Sequence, residues 1–216
     1  MIPVPEMRSR FLTLFTAAVN DVLRFEHKLN GALPSSFRGL RGNDRLCGRA
    51  FTVKGGPDLT TDGEFEMRAQ MLEALGADDV VIWDCTGDTV TAQWGEVMTL
   101  AAIRRGCRGA VVNGVRDVDR VIPQDFPVFH HYTTSTGMLG RFRMYHYQKP
   151  VLMGEITVRP GDWILGDQDG LIAIPQEIAE RVLLAAEAIP LKEKGILQMV
   201  ESGMKPTEVV KNGGYF

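Results

Sequence analysis

Twice in the first half of the chain, a stretch with helical spacing of apolar residues halts at a glycine and gives way to a short, almost wholly apolar run. Residues 64–75 carry the first helical pattern, Gly76 stops it, and Asp79-Val80-Val81-Ile82-Trp83-Asp84 follows. Residues 94–105 carry the second, Gly106 stops it, and Gly109-Ala110-Val111-Val112-Asn113-Gly114 follows. Glycine takes up the left-handed turn that ends a helix, and an apolar run without polar alternation reads as a buried strand. With 48–54 read as a strand ended by Gly55-Gly56-Pro57, the pattern is β-α-β and then repeats, so the class is α/β, with helices packed around a mixed sheet.

On either side of this repeat the pattern changes. Phe11, Leu12, Phe15, Val19, Val22 and Leu23 fall near helical spacing, which predicts one amphipathic helix over 8–29. After Gly114 the runs 128–130, 151–153, 156–158, 163–165 and 171–174 are short and separated by turn residues, as in a compact sheet or barrel-like layer. Pro175 opens a helix over 176–188, Pro190 interrupts it, and a further helix extends to Val200. Residues 1–216 are therefore read as one domain, with the helices 8–29 and 176–200 packing at its edge.

Composition enters mainly by exclusion. A hydrophobic fraction of 44% with 24% charged residues is that of an ordinary globular chain, not a disordered or fibrous one. The formal net charge of −3 gives no field for phosphates, so nucleic acid is not an expected partner. No basic leader precedes an apolar core at the start, and no run is long enough for a membrane span, so neither secretion nor membrane insertion is expected. Three cysteines, Cys47, Cys85 and Cys107, lack any C-x-x-C spacing and fit a reducing cytoplasm as buried small hydrophobes.

Three constellations have the residue types that chemistry needs. Trp94-Gly95-Glu96-Val97-Met98 stands at a helix start, where free amides and a side-chain-free glycine can receive a carboxylate; simple capping uses the same residues. Asn113-Gly114-Val115-Arg116-Asp117 brings adjacent opposite charges to the carboxyl end of a buried strand, where α/β proteins collect ligands. Arg116 offers a planar fork for a carboxylate and Asp117 a hard oxygen for Mg²⁺ or Mn²⁺, although an exposed Arg-Asp pair of little energetic weight has the same sequence. The stretch 159–170, with Asp162, Asp167 and Asp169, does not follow EF-hand spacing and reads as a hairpin whose turns are fixed by Asp162 and Asp169. The four histidines form no H-E-x-x-H, and Lys54 and Lys149 adjoin apolar runs where an imine-forming lysine can hide, though a solvated lysine is commoner. Neither a nucleophile elbow, nor a Walker loop, nor a dinucleotide fingerprint is present.

Taken in order, G-E-V-M, then A-A-x-R-R-G-C-R-G-A-V-V-N-G-V-R-D, then F-P-V-F and P-G-D-W-I-L-G-D-Q-D-G-L-I-A-I-P resemble the RraA-like family over about residues 48–203. That family includes class II 4-hydroxy-4-methyl-2-oxoglutarate aldolases that also decarboxylate oxaloacetate. The resemblance implies an α/β/α sandwich with a β-β-α core of the swivelling, phosphohistidine-domain-like kind, assembled as homotrimers or hexamers with sites between subunits. It further implies that Gly95, Glu96, Val97 and Met98 bind substrate, that Arg116 binds the pyruvyl carboxylate, and that Asp117 holds a divalent metal cation, Mg²⁺ or Mn²⁺, partly through water. A glutamate from a neighbouring C-terminal helix assists in the aldolases, and Glu193 is the candidate here.

The implied reaction is cleavage of a 4-hydroxy-2-oxo acid, or of oxaloacetate, to pyruvate through its enolate, whose developing charge a chelated metal stabilises without a lysine imine. Two other activities share the resemblance. One is the RraA type of protein inhibitor of ribonuclease activity, which binds without catalysis; the other is a metal-dependent lyase or hydratase acting on a sugar-derived acid.

Overall fold

The computed structural model describes residues 2–216. Its chain opens with α1 (Val4–Phe11) and α2 (Thr16–Phe25), so the helix expected over 8–29 is two helices. The amides of Thr13 and Leu14 turn back to the carbonyls of Arg10 and Phe11, both at 3.0 Å, and Phe15 is extended. Asp167 then caps the new helix from across the fold, accepting the Thr16 amide at 2.7 Å and its hydroxyl at 2.8 Å. A tertiary contact overrides local periodicity here.

The β-α-β half follows with β1 (Arg38–Gly39), β2 (Leu46–Pro57), α3 (Glu64–Ala74), β3 (Asp79–Asp84), α4 (Glu96–Arg104), β4 (Ala110–Val111), β5 (Gly114–Val115) and α5 (Val118–Val121). Gly106 ends α4 as expected: at φ 81° it lets its own amide reach the Ile103 carbonyl and that of Cys107 the Ala102 carbonyl, the paired closure of a Schellman turn. By contrast, Gly55-Gly56-Pro57 does not break β2. Those residues pair, through a bulge after Lys54, with a strand formed by residues 142–147.

The strand-rich half contains β6 (Val128–His130), β7 (Tyr132–Thr133), β8 (Phe142–Tyr147), β9 (Val151–Met153), β10 (Ile156–Val158), β11 (Trp163–Asp167) and β12 (Gly170–Ile174). The helices α6 (Ala179–Ala186), α7 (Ile189–Glu201) and α8 (Pro206–Lys211) complete the chain. Pro190 lies in the first turn of α7, where its missing N–H costs nothing.

In the main sheet the strand order is β1-β6-β4-β3-β2-β11-β12; β2, β3, β4 and β6 run parallel, while β11 and β8 pair antiparallel with successive halves of β2. Side-chain alternation divides the core. Leu46, Ala50, Val80, Ile82, Ile164 and Leu171 pack on one face beneath Leu33, Phe37 and the β9–β10 hairpin. From the other face, Phe51, Val53, Val81 and Trp83 meet α3 and α4, and Cys47, Trp163, Leu165, Ile172 and Ile174 meet α1, α2 and α6. This is the α/β architecture the alternation called for. At the C-terminal edge α6 buries Ala179, Val182, Leu183 and Ala186, whereas α7 has no buried residue. No helix of the described residues is long and apolar enough to cross a membrane.

Candidate active site

The parallel strands β3 and β4 deliver their carboxyl ends to one rim, and the segments that follow them are fastened to each other. After β3, the loop holding Asp88 returns through Thr91, Gln93 and Trp94; after β4, the chain continues through Asn113 into β5. The Gln93 amide donates to the Gly114 carbonyl at 3.0 Å, the Gln93 side-chain oxygen accepts the Gly114 amide at 2.8 Å, and the Arg116 amide donates to the Trp94 carbonyl at 3.0 Å. Any side chain at Gly114 is excluded, since its Cβ would lie 2.2 Å from the Thr91 carbonyl oxygen.

Beneath this seam the nearly buried Asp88 carboxylate accepts the Thr91 hydroxyl at 2.6 Å, the Gln93 side-chain amide, and the Tyr132 hydroxyl at 3.3 Å. Burial, and next the Asp88 charge, push the Tyr132 phenol well above its ordinary value, so it stays a neutral donor. Asn113 ties the same loop down through the carbonyls of Cys85 (3.3 Å) and Asp88 (2.9 Å). Trp94 is buried, with its indole N–H on the Thr99 hydroxyl at 2.8 Å and its ring parallel to Phe126. Fixed on both sides, the Trp94–Gly95 step is therefore an extended stretch leading into the first turn of α4, not part of the helix that the sequence starts at residue 94.

Onto this turn fold the two charged residues. Asp117 adopts the left-handed conformation (φ 56°, ψ 36°), which short polar side chains tolerate better than most, and its carbonyl starts α5 by accepting the amides of Arg120 and Val121. Its carboxylate and the stem of Arg116 lie directly over Gly95: a Cβ there would sit 2.7 Å from Asp117 Oδ2 and 3.0 Å from Arg116 Cγ. Arg116 Nε donates to Asp117 Oδ1 at 3.2 Å, and the guanidinium also rests against Gly137, whose Cβ would come within 2.9 Å of Nη1. Both side chains keep part of their surface in water, 45% for Arg116 and 35% for Asp117, so the pair itself stabilises little and its remaining polar atoms face an open cleft of about 550 Å³. Val115, residues 118–120 and residues 133–135 complete the lining.

Gly95 is buried and caps α4 in an extended conformation without a side-chain cap, which leaves the first-turn amides at Glu96, Val97 and Met98 without helical acceptors. The side chains of these three diverge. Glu96 approaches Arg120 at 3.8 Å, Val97 is 78% exposed, and Met98 packs on the core. Glu193 lies on α7, in the electrostatic surroundings of Tyr215, and α7 packs on α6 and α8. Within one chain it is thus not brought together with Arg116 and Asp117.

The other sequence candidates fall elsewhere. Lys54 is tied to Asp84 and Thr86, each at 2.7 Å, and anchors the end of β3. The stretch 159–170 does form a hairpin, β11–β12. Asp162 fixes its entry by accepting the Arg159 and Gln176 amides, but the turn at 167–170 is held by Asp167, which accepts the Asp169 amide at 3.0 Å; Asp169 itself is exposed. Cys47, Cys85 and Cys107 are buried free thiols, pushed up by burial, Cys107 to about 11. Gln93, Tyr132 and Gly137 carry no signal in the sequence, because each acts through a partner distant in the chain, and Asp88, though held by Thr91 and Gln93 nearby, looks like any loop aspartate.

A carboxylate at the rim of an open cleft suits a cation that keeps much of its water. Mg²⁺ takes one or two protein carboxylates and fills its remaining positions with water and substrate oxygens, and Asp117 presents such a carboxylate beside an open cleft. Among the described residues no cluster of three or more His, Cys, Asp or Glu forms a closed metal cage.

Fold and rim together define an α/β protein with an open, charged cleft at the carboxyl ends of parallel strands. The chain belongs to the RraA-like family: the family model described as Aldolase/RraA matches residues 16–173. Protein DlpA of Legionella pneumophila is 28% identical over 93% of this chain, which spans about a third (32%) of the length of that relative. The 4-hydroxy-4-methyl-2-oxoglutarate aldolase of Thermus thermophilus is 28% identical, over 67% of this chain and 85% of its own. Among solved structures, a crystal structure described as that of novel cellulases from microbes associated with the gut ecosystem is 42% identical, superposes with a TM-score of 0.86, and covers 90% of this chain and 88% of that one.

Proposed function

We propose that this protein is a divalent-metal-dependent carbon–carbon lyase that cleaves a 4-hydroxy-2-oxo acid, or decarboxylates oxaloacetate, to give pyruvate. One observation carries the reading: the Asp117 carboxylate and the Arg116 side chain are laid over the Gly95 turn, within contact of the position a side chain there would occupy. Similarity to an aldolase acting on such an acid supports the same chemistry.

Breaking the C3–C4 bond, as the 4-hydroxyl gives its proton to water and becomes a carbonyl or as CO₂ leaves oxaloacetate, leaves electrons that the 2-oxo group must accept as an enolate, which takes a proton from water at C3 to become pyruvate. Arg116, with free guanidinium donors above the turn, binds the substrate carboxylate as a fork and adds positive charge beside the developing enolate oxygen. The amides at 96–98 offer further donors to the anion, and the closeness of both walls fixes its orientation. Asp117 would hold a divalent cation, which supplies a Lewis acid to the 2-oxo oxygen when bound. Glu193 of a second copy is proposed to assist across a subunit boundary in a trimer or hexamer.

The test is pyruvate release from oxaloacetate and a panel of 4-hydroxy-2-oxo acids with Mg²⁺ or Mn²⁺. Chelation should stop turnover and either metal restore it. Asp117→Asn keeps a residue tolerant of the left-handed conformation and should abolish turnover while the protein melts near the wild-type temperature; Arg116→Ala should raise KM and lower kcat. No pyruvate from any substrate, together with stoichiometric retention of a ribonuclease, would move the chain to the inhibitor type of the family.

A further inference from the structure

Resting on the placement of the near carboxylate at Arg116, we propose that Arg120 reads the far end of the substrate and makes the cleft selective for 2-oxo diacids over 2-oxo monoacids of equal length. The cleft contains two guanidiniums, and the lyase reading employs one. Arg120 follows from the geometry of Asp117: its amide donates to the Asp117 carbonyl at 2.9 Å, so the two residues occupy neighbouring turns, about 5–6 Å apart at their β-carbons. Its side chain is 72% exposed and borders the same cleft as Arg116. Glu96 lies 3.8 Å from it, outside hydrogen-bond range, so this loose ion pair leaves the guanidinium donors unspent.

A cleft of about 550 Å³ is far larger than a pyruvyl unit fills, and its lining also includes the hydroxyl residues Thr133, Thr134 and Ser135. An alkyl tail placed there would face a cation and hydroxyls with nothing to exchange for the water it displaces. A carboxylate would meet a planar fork and hydroxyl donors. Asp119 borders the cleft as well and opposes a second negative charge, so selectivity for the diacid depends on the Arg120 donors in particular.

The experiment compares 2-oxoglutarate with 2-oxopentanoate, which share a chain length and a 2-oxo carboxylate and differ at the distal carbon. Neither carries the 4-hydroxyl needed for cleavage. Titration calorimetry with Mg²⁺ present should show wild type binding the diacid more tightly, and Arg120→Gln should lose about tenfold or more in diacid affinity while monoacid affinity is unchanged, the loss expected for one charge-assisted hydrogen bond. Equal binding of the two acids by wild type, or a preference that survives in Arg120→Gln, overturns the assignment. Pyruvate release is followed in parallel. Arg120-dependent diacid binding without turnover would sink the lyase reading and keep the assignment; turnover with no Arg120-dependent preference would do the reverse.

Discussion

Replacing Gly95 by alanine separates the stability of the site from its chemistry. The backbone at Gly95 is extended (φ −165°, ψ −168°), so alanine meets no conformational penalty there. What it meets is the Asp117 carboxylate at 2.7 Å, which must recede by about 0.7 Å to reach ordinary contact at 3.4 Å, and the flexible Arg116 stem at 3.0 Å, which must give by a few tenths of an ångström. That oxygen ends a side chain 35% exposed to water, so the retreat is cheap. It is set against a gain of about 0.4–1 kcal/mol from restricting the unfolded chain. The two nearly cancel, and the melting temperature should move by no more than about 2–4 °C, the shift that about 1 kcal/mol produces in a chain of this size. Catalysis should respond differently, because misplacing a reacting group by about 1 Å costs on the order of a hundredfold. We expect kcat/KM for pyruvate release, measured by coupling to lactate dehydrogenase, to fall by about ten- to a hundredfold in a protein that melts normally. Full activity would refute the idea that the Asp117–Gly95 contact defines the reacting geometry. An unfolded variant would refute the claim that Asp117 is free to move.

Three other perturbations probe the supports of the site. Gly114→Ala should cost more than Gly95→Ala, about 1–3 kcal/mol or above in urea unfolding, because the atom it meets at 2.2 Å is backbone and cannot swing aside. Gln93→Met leaves the Gly114 amide and one acceptor position of Asp88 unpaired in a dry seam and should destabilise by about 1–3 kcal/mol, again read by urea unfolding. Away from the site, Arg10 donates to Glu187 at 2.7 and 2.6 Å and holds that carboxyl below its ordinary 4.5. A depressed folded value means the contribution is present above 4.5 and is lost as pH falls toward the folded value, so the melting-temperature gap between wild type and Glu187→Gln should close on acidification. A gap independent of pH would show that the pair does not link folding to protons.

Local chemistry made much of this molecule readable before any coordinates. Gly106 announced the end of α4 because a left-handed closure is a property of a few adjacent residues, and the buried runs of β3 and β4 show in their composition. Arg116 and Asp117 were visible as charges at a strand end, and Gly95 as a helix-start glycine, but not that each side shapes the other. Where reading failed, a distant partner decided. Gly55 and Gly56 look like a breaker, yet they admit Phe142 and Tyr145 of β8, whose ring atoms would lie 2.4 and 2.8 Å from a Cβ. Asp167 splits the first helix from 151 positions away. Gln93 is unremarkable in its own neighbourhood and becomes a structural key only when Gly114 arrives beside it.

The seam between residues 91–94 and 114–116 sets how this cleft can breathe. Turn and strand tip are hydrogen-bonded to one another, so on the proposed reading a ligand over Gly95 would have no gap to draw shut and would meet groups already in position. Accommodation to substrates of different length is left to the outer boundary, the single turn of α5 and the 133–135 segment, where Arg120 stands and where side chains remain in water.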